Sequence, residues 1–377
     1  PKRANGEWQS SDRPPLQTGW LLLTWPATAT LGIEPRTASG TAATWFQLLW
    51  VAAVYGLLRS LALNPGRAIA WTVVIGLSGF CVQNTVFTWP KLAAGAFACG
   101  AFGLWLMPDA GPRRRAAILT GAALAALGWL AHGGVAFSYL AFVPWLVWRA
   151  GRGELRDWLL AAGVVLLLAL PWSAYQKFYD PPGNQLLNLH FAGHDGPDPR
   201  GTWPTIRDAY RPLSWTDILE RRRANLALQV SGNWRTLLDF STAGASARRE
   251  AEFFHPFRAL TWWVLGLAAL PLLLLRRAHR LALITRGSDQ VTLASWPLLT
   301  TLIWCGLMFS AGSAVIHQGS YAVMLACFVL LSVWLELASR WSIAVVACLQ
   351  AATLATTYAV PNAIVNGPPL GLSLIHI

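Results

Sequence analysis

Asp157 to Lys177 reads DWLLAAGVVLLLALPWSAYQK, and between those two charged ends no residue carries a charge. A helix over this run reaches about 30 Å, the thickness of a bilayer's hydrocarbon core. The stretch therefore reads as a membrane-spanning helix, and its neighbours repeat the pattern. Of the 377 residues, 55% are hydrophobic and 12% are charged, with 22 Trp. A soluble domain carries about a quarter charged residues, so this composition indicates a multi-spanning membrane protein. The net charge of +12 fits loop bias and contact with anionic lipid. No basic groove motif with interleaved aromatics occurs, which argues against nucleic acid as a partner. Cys81, Cys99, Cys305, Cys327 and Cys348 all fall in apolar segments without CxxC spacing, and read as packing residues.

Ten segments qualify as candidate spans: 43–63, 68–84, 91–107, 116–131, 134–149, 157–177, 259–275, 293–313, 319–337 and 341–360. The fold class expected is all-α, a polytopic bundle of about ten spanning helices. No span holds Asp or Glu at its middle, so none reads as an intramembrane proton relay. If Arg113, Arg114 and Arg115 face the cytoplasm, strict alternation puts Arg59, Arg67, Arg149, Arg152, Arg156, Arg276, Arg277, Arg280, Arg286 and Arg340 on the same side. The short loops opposite hold one base, Lys91, which is the asymmetry of the positive-inside rule.

This alternation places residues 1–42 outside. The apolar run Leu16–Ile33, preceded by Pro14–Pro15 and bearing Trp20 and Trp25, then reads as a helix along the outer interface. The alternative is that it spans and one of the shorter segments is false. Segment 178–258 also lies outside by this reasoning, and 259–371 holds the C-terminal spans. Within the outer loop, Ser214 and Asp217 have capping-box spacing. Trp215, Ile218, Leu219, Leu226, Val230, Trp234 and Leu237 follow near helical period, with Arg221, Arg222, Arg223 and Arg235 among them. A second interfacial amphipathic helix is expected, either sealing the surface or binding phosphates and headgroups. The chain opens at Pro1 without Met and closes on GLSLIHI, which resembles translated sequencing adapter. It is read as a fragment, with residues 372–377 a non-native tail.

The layout and the motif Arg13–Pro14–Pro15–Leu16–Gln17–Thr18–Gly19–Trp20 resemble the GT-C superfamily of polytopic glycosyltransferases. Bacterial members such as the lipid A aminoarabinose transferase and the protein O-mannosyltransferases typically show HPPLYYWL there. The resemblance covers about residues 10–260, with six spans over 43–177 as its core. It implies transfer of a sugar from a polyprenyl-phosphate donor to a lipid or glycan acceptor, at the outer face of a bacterial cytoplasmic membrane. Membrane lipids are the other partners implied.

Two departures stand out. The family's catalytic acid lies about twenty residues before the PPL motif, which falls ahead of Pro1. Asp12 is adjacent to the motif and Glu7 five residues further upstream, and neither matches by spacing. The family's second acid, in a pattern like SRLALPDAL, aligns with Lys91 in NTVFTWPKLA. An ammonium there would not hold a divalent metal as the acid does. A divalent metal is otherwise left open as a cofactor, with no ligand set assigned. Lys91 either contacts a donor phosphate or snorkels beside Trp89.

The loop YQKFYDPPGNQLLNLHFAG contains a turn at Asp180–Pro181–Pro182–Gly183 and places His190 and His194 at i, i+4. That spacing can bind zinc, but a third ligand pattern is lacking. His190 otherwise contacts acceptor or phosphate, or is an ordinary interfacial histidine. His132 lies in a short hairpin whose glycines turn geometry alone explains. In the mechanism implied, a carboxylate deprotonates the acceptor hydroxyl while cations stabilise the departing phosphate. Asp12 is the catalytic candidate among the carboxylates Asp12, Asp180, Asp195 and Asp198. Lys91, Asp180, His190, Arg200, Arg207 and Arg211 are the substrate-binding candidates, Lys177 being a further cation, with phosphate assigned to Lys91 and Arg200. A non-catalytic protein of envelope polysaccharide assembly and a transporter are the rival readings.

Overall fold

Pro14 and Pro15 lead directly into α1 (Leu16–Thr30), where the fixed φ of proline suits the first turn. The computed structural model describes residues 10–358 except 88, 107–111, 150–153, 195, 197, 231–233, 240, 276–286 and 311–318. The expectations for Glu7, Asp195 and the 372–377 tail lie outside the described residues. At 15 residues, α1 is shorter than a helix that crosses hydrocarbon. None of its residues is buried, and Leu22, Leu23 and Trp25 face outward. Its Trp20 donates to the Ala42 carbonyl at 2.7 Å and stacks on Phe46. Both partners belong to α2 (Pro35–Gln47), whose amino end Glu34 caps by accepting from the Arg36 and Thr37 amides.

From α2 the chain continues through Leu48 into α3 (Leu49–Ser60), and the two make one apolar rod of 26 residues. Next come α4 (Pro65–Gly76) and α5 (Gly79–Val86), bent by 71° at a break that Ser78 caps. α6 (Lys91–Leu106) and α7 (Pro112–Ala131) pack as an antiparallel pair. α8 (Ala136–Leu140) and α9 (Val143–Arg149) are short, and α10 (Leu155–Ala174) runs on to Tyr179 in a wider π turn. The polar region folds into α11 (Gln185–Ala192), α12 (Thr202–Tyr210), α13 (Trp215–Val230), α14 (Thr242–Phe254) and α15 (Pro256–Ala259). α16 (Leu265–Leu275), α17 (Gly287–Leu307), α18 (Ser320–Ala338) and α19 (Ser342–Tyr358) complete the bundle. Among the described residues there is no strand.

α18 is the central post, buried over nearly its whole length against α3, α6, α16 and α17. At Gly95 of α6 an added Cβ would meet the Ala322 amide nitrogen of α18 at 2.9 Å, so the two backbones touch there. Phe102 stacks on Trp296 at 4.4 Å, tying α6 to α17. The outside is apolar: Leu159, Leu166, Leu167 and Leu170 of α10, and Val291, Leu298 and Leu302 of α17, are all exposed. An apolar exterior this continuous belongs in hydrocarbon, and the chain is a helical protein with several helices suited to a membrane.

Among the described residues four helices are long and apolar enough to cross, Pro35–Ser60, Leu155–Tyr179, Asp289–Leu307 and Ser320–Ala338, or five if the bent α4–α5 pair is one span, and the expected ten crossings are not established. Segment 134–149 breaks into two short helices, and 91–107, 259–275 and 341–360 give helices of 10–17 residues. α13 forms with its expected capping box, the Ser214 amide and hydroxyl donating to Asp217 at 2.8 and 2.7 Å. Its inward face is polar, however. Asn225 and Gln229 are buried, and Asn225 donates to the Met308 carbonyl at 2.8 Å, while Trp215, Leu219, Leu226 and Val230 stay exposed.

Charge divides between the two ends of the bundle. At one, Arg67 pairs with Glu336, Arg114 with Glu154 at 3.1 Å and Arg115 with Asp157 at 3.6 Å. At the other, where α6 and α18 begin and α7 ends, lies the candidate site. The α6–α7 packing itself is testable, because a Cβ at Gly121 overlaps the Trp105 indole whereas nothing lies within 4 Å of one at Gly163. Gly121→Val is expected to destabilise the purified protein by about 1–3 kcal/mol. Gly163→Val should stay within about 0.5 kcal/mol of wild type. Thermal unfolding in one detergent compares the two.

Candidate functional site

Gln47 sets the site's local geometry. It is fully buried, its amide donates to the Phe87 carbonyl at 3.3 Å and to the Trp89 carbonyl, and its oxygen accepts from the Ala93 amide at 2.8 Å. The α5–α6 turn is thus fastened to α2, and Lys91 leaves it pointing inward. Lys91 is 2% exposed, and its Nζ has no hydrogen-bond partner. An ammonium carries three donors, so its burial without one partner calls for an explanation. Nζ lies 4.4 Å from the centre of the Trp89 ring and 5.9 Å from that of Tyr321. Arg13 covers the same Trp89 ring at 4.8 Å. Snorkelling to water, one of the two expectations for Lys91, is not its conformation.

Two histidines join this cluster. His132 caps the turn Gly133–Val135, its Nδ1 accepting from the Gly134 amide at 3.0 Å. Burial first, then Lys91, His190 and Arg13, hold its pKa well below the ordinary histidine value. His190 on α11 has a buried Nδ1 without a partner. Burial and then Lys91 lower its pKa to about 4. Both imidazoles are therefore neutral at pH 7 in a neighbourhood of cations, a setting that favours an anion.

Beyond His190 the wall is aromatic and hydroxylated. The His190 carbonyl accepts from the Phe309 amide at 2.8 Å, and Phe191 packs against Phe137, Trp304 and Met308. Trp304 lies against Gly319, where a Cβ would come within 2.8 Å of the indole. Ser138 Oγ, Thr300 Oγ1 and Trp304 Nε1 are all buried there without partners, on α8 and α17. Buried donors without partners on α8 and α17 thus follow the cation cluster beyond His190, a combination suited to a phosphate carrying a polyhydroxylated group.

The remaining candidates are placed elsewhere. Asp12 is buried, and its Oδ1 accepts from the Gln185 amide at 3.2 Å at the start of α11, beside Arg13. Asp180 accepts from Ser10 Oγ at 2.7 Å and the Ser11 amide at 3.0 Å, and Ser10 chiefly holds its carboxyl below the usual range. Both carboxylates fasten the opening stretch to the loop after α10. Arg200 spends its guanidinium on Asp198 at 2.7 Å and Asp208 at 3.0 Å, and Arg207 lies 3.6 Å from Asp208. Arg211 is exposed. Nothing among the described residues joins these three arginines to Lys91. α11 ends at Ala192 with Gly193 at φ 66°, so His194 lies past the helix and shares no face with His190. Among the described residues, no three of His, Cys, Asp and Glu converge to hold a metal.

Sequence reasoning missed Thr300 and Trp304, because an isolated hydroxyl or indole in an apolar run reads as packing. It also missed Glu252, a buried carboxyl on α14 whose surroundings come from α5 and α19. Lys91 carries the sharpest expectation here. Lys91→Met removes an unpaired buried ammonium at similar volume, and is expected to stabilise the empty protein by about 1–3 kcal/mol in thermal unfolding. The sequence matches no protein-family model, no curated protein and no solved structure.

Proposed function

We propose that this chain is a membrane glycosyltransferase that moves a sugar from a polyprenyl-phosphate donor to a lipid or glycan acceptor at the outer face of a bacterial cytoplasmic membrane. The observation that carries the reading is Lys91, an unpaired ammonium buried beside His190, His132 and Arg13 at one end of an apolar bundle. A lipid-linked phosphate brings a negative charge to such a place while its chain stays in hydrocarbon. Lys91 and Arg13 bind the phosphate, and His190 takes up a proton as the anion arrives. Ser138, Thr300 and Trp304 supply donors and an aromatic face to the sugar.

In the reaction, the bond between the anomeric carbon and the phosphate oxygen breaks, and polyprenyl phosphate leaves with the electron pair. The acceptor oxygen forms the new bond to the anomeric carbon. Its proton passes to a carboxylate, for which Asp12 is the described candidate nearest the cluster, through its neighbour Arg13. The cations act on charge that develops on the departing phosphate. A divalent metal does not fit beside Lys91, since an ammonium stands where a carboxylate ligand is expected and would repel a dication. No step is assigned to one.

The bend between α4 and α5 favours a transporter as second reading, since discontinuous helices line many transport sites. A non-catalytic assembly protein is the third. Reconstitution with polyprenyl-phosphate sugars separates them: Lys91→Ala is expected to lower kcat by about 10²–10³. Absence of transfer from every lipid-linked donor, together with an unchanged cellular phenotype of Lys91→Ala, would overturn the enzyme.

The pH dependence has a definite sign. In the empty site the His190 pKa is about 4, and a bound anion raises it, so binding takes up a proton. Donor affinity should rise as pH falls from 7 toward 5, and His190→Asn should flatten that slope in a binding titration.

A further inference from the structure

We infer that α14 is held to the bundle by a proton-dependent latch, in which the protonated Glu252 carboxyl docks between Gly79 of α5 and Tyr358 of α19 and its ionisation releases the helix. This rests on the packing of Glu252, not on the charge of Lys91, and holds whether or not the chain is an enzyme.

Glu252 is 2% exposed, and its carboxyl occupies the space a Cβ at position 79 would fill. Three oxygens then stand in a row. Tyr358 Oη lies 2.7 Å from Glu252 Oε2 and 3.4 Å from Gln83 Oε1. The phenol donates to the Glu252 carboxyl, a bond that favours the anion, so what favours the proton is the burial of that carboxyl against Gly79.

The charged groups around Glu252 pull both ways. On α14 itself, Arg248 and Arg249 favour the anion, as does the amino end of α5. Arg248 is engaged with Thr357 at 2.7 Å, and Arg249 donates to the Thr357 carbonyl at 2.9 Å. Before α14, Arg235 and Asp239 are exposed, Asp239 facing Arg248. On the α15 side stand His255 and Arg258, with Glu250 beside them. Burial outweighs these and raises the Glu252 pKa to about 7. A carboxyl with a raised pKa favours docking below its free value, and the advantage is lost as pH rises through about 7.

The latch also reaches the cation site. Asn84, next to Gln83 on α5, accepts from Tyr321 Oη at 3.0 Å, and the Tyr321 ring borders Lys91. Docked α14 therefore braces the helix that positions that wall.

Trypsin reads the latch directly, because Arg248 and Arg249 are 2% and 9% exposed while docked and Arg223 is exposed throughout. The purified full chain is digested in detergent at pH 6 and 8.5, with cleavage after Arg248 and Arg249 divided by cleavage after Arg223. A carboxyl at about 7 when docked and 4.5 when free predicts a rise of about tenfold in this ratio. Glu252→Gln should hold the ratio at its pH 6 level throughout, and Gly79→Ala should expose both arginines at either pH. Tyr358→Phe is the second variant: it removes a bond that favours the anion, so the transition should move to higher pH. A wild-type ratio independent of pH overturns the latch. So does an equal rise in Glu252→Gln, or an unmoved transition in Tyr358→Phe.

Discussion

The contact of two backbones at Gly95 governs the functional end of this protein. No side chain separates α6 from α18 there, so the helices meet as closely as backbones allow. Lys91 lies one turn before Gly95 and shares its face, so it is directed at α18 and at Tyr321. Any larger residue at 95 would part the helices and let water reach the ammonium. The burial of the cation therefore follows from the packing. What remains is the absence of a counter-charge among the described residues, which packing does not explain and a ligand would.

The opening stretch obeys a related constraint. Ser10, Ser11 and Asp12 are joined to Asp180 and Gln185 by hydrogen bonds across about 170 positions of sequence. Once these seams close, Arg13 is delivered to the same Trp89 ring as Lys91. Asp12 and Asp180 thus position a cation, whatever further chemistry Asp12 performs. Two cations on one indole repel each other, and an anion bound near both relieves that repulsion.

What could be read in advance follows from range. The span at 157–177 was legible because its apolar character is continuous and needs no partner. The capping box of α13 was legible because its donors and acceptors lie within one turn. The number of crossings was not, since a hydropathy run does not show that α4 bends into α5 at Ser78 or that 134–149 breaks at Ala141 and Phe142. The inward face of α13 was hidden too, because Asn225 acquires its meaning from the Cys305 and Met308 carbonyls at the end of α17, and Gln229 donates back to the Asn225 carbonyl. At the site, Lys91 drew attention as the one base in the short outer loops, at the place of an expected acid, and His190 through its spacing from His194. Thr300, Trp304 and Glu252 became visible only when the fold left them buried, the first two without partners.

Protons link the two unusual regions, and they act in one direction. An anion at Lys91 draws a proton onto His190, so acid favours occupancy of the cation site. Acid also keeps Glu252 neutral and α14 docked against α5. α5 carries Asn84, the partner of the tyrosine that borders Lys91. Protonation at Glu252 therefore steadies the wall that faces the ligand, while protonation at His190 strengthens the charge that holds it. Because both groups respond below about pH 7, a fall in pH on that face acts on binding twice, through structure and through charge.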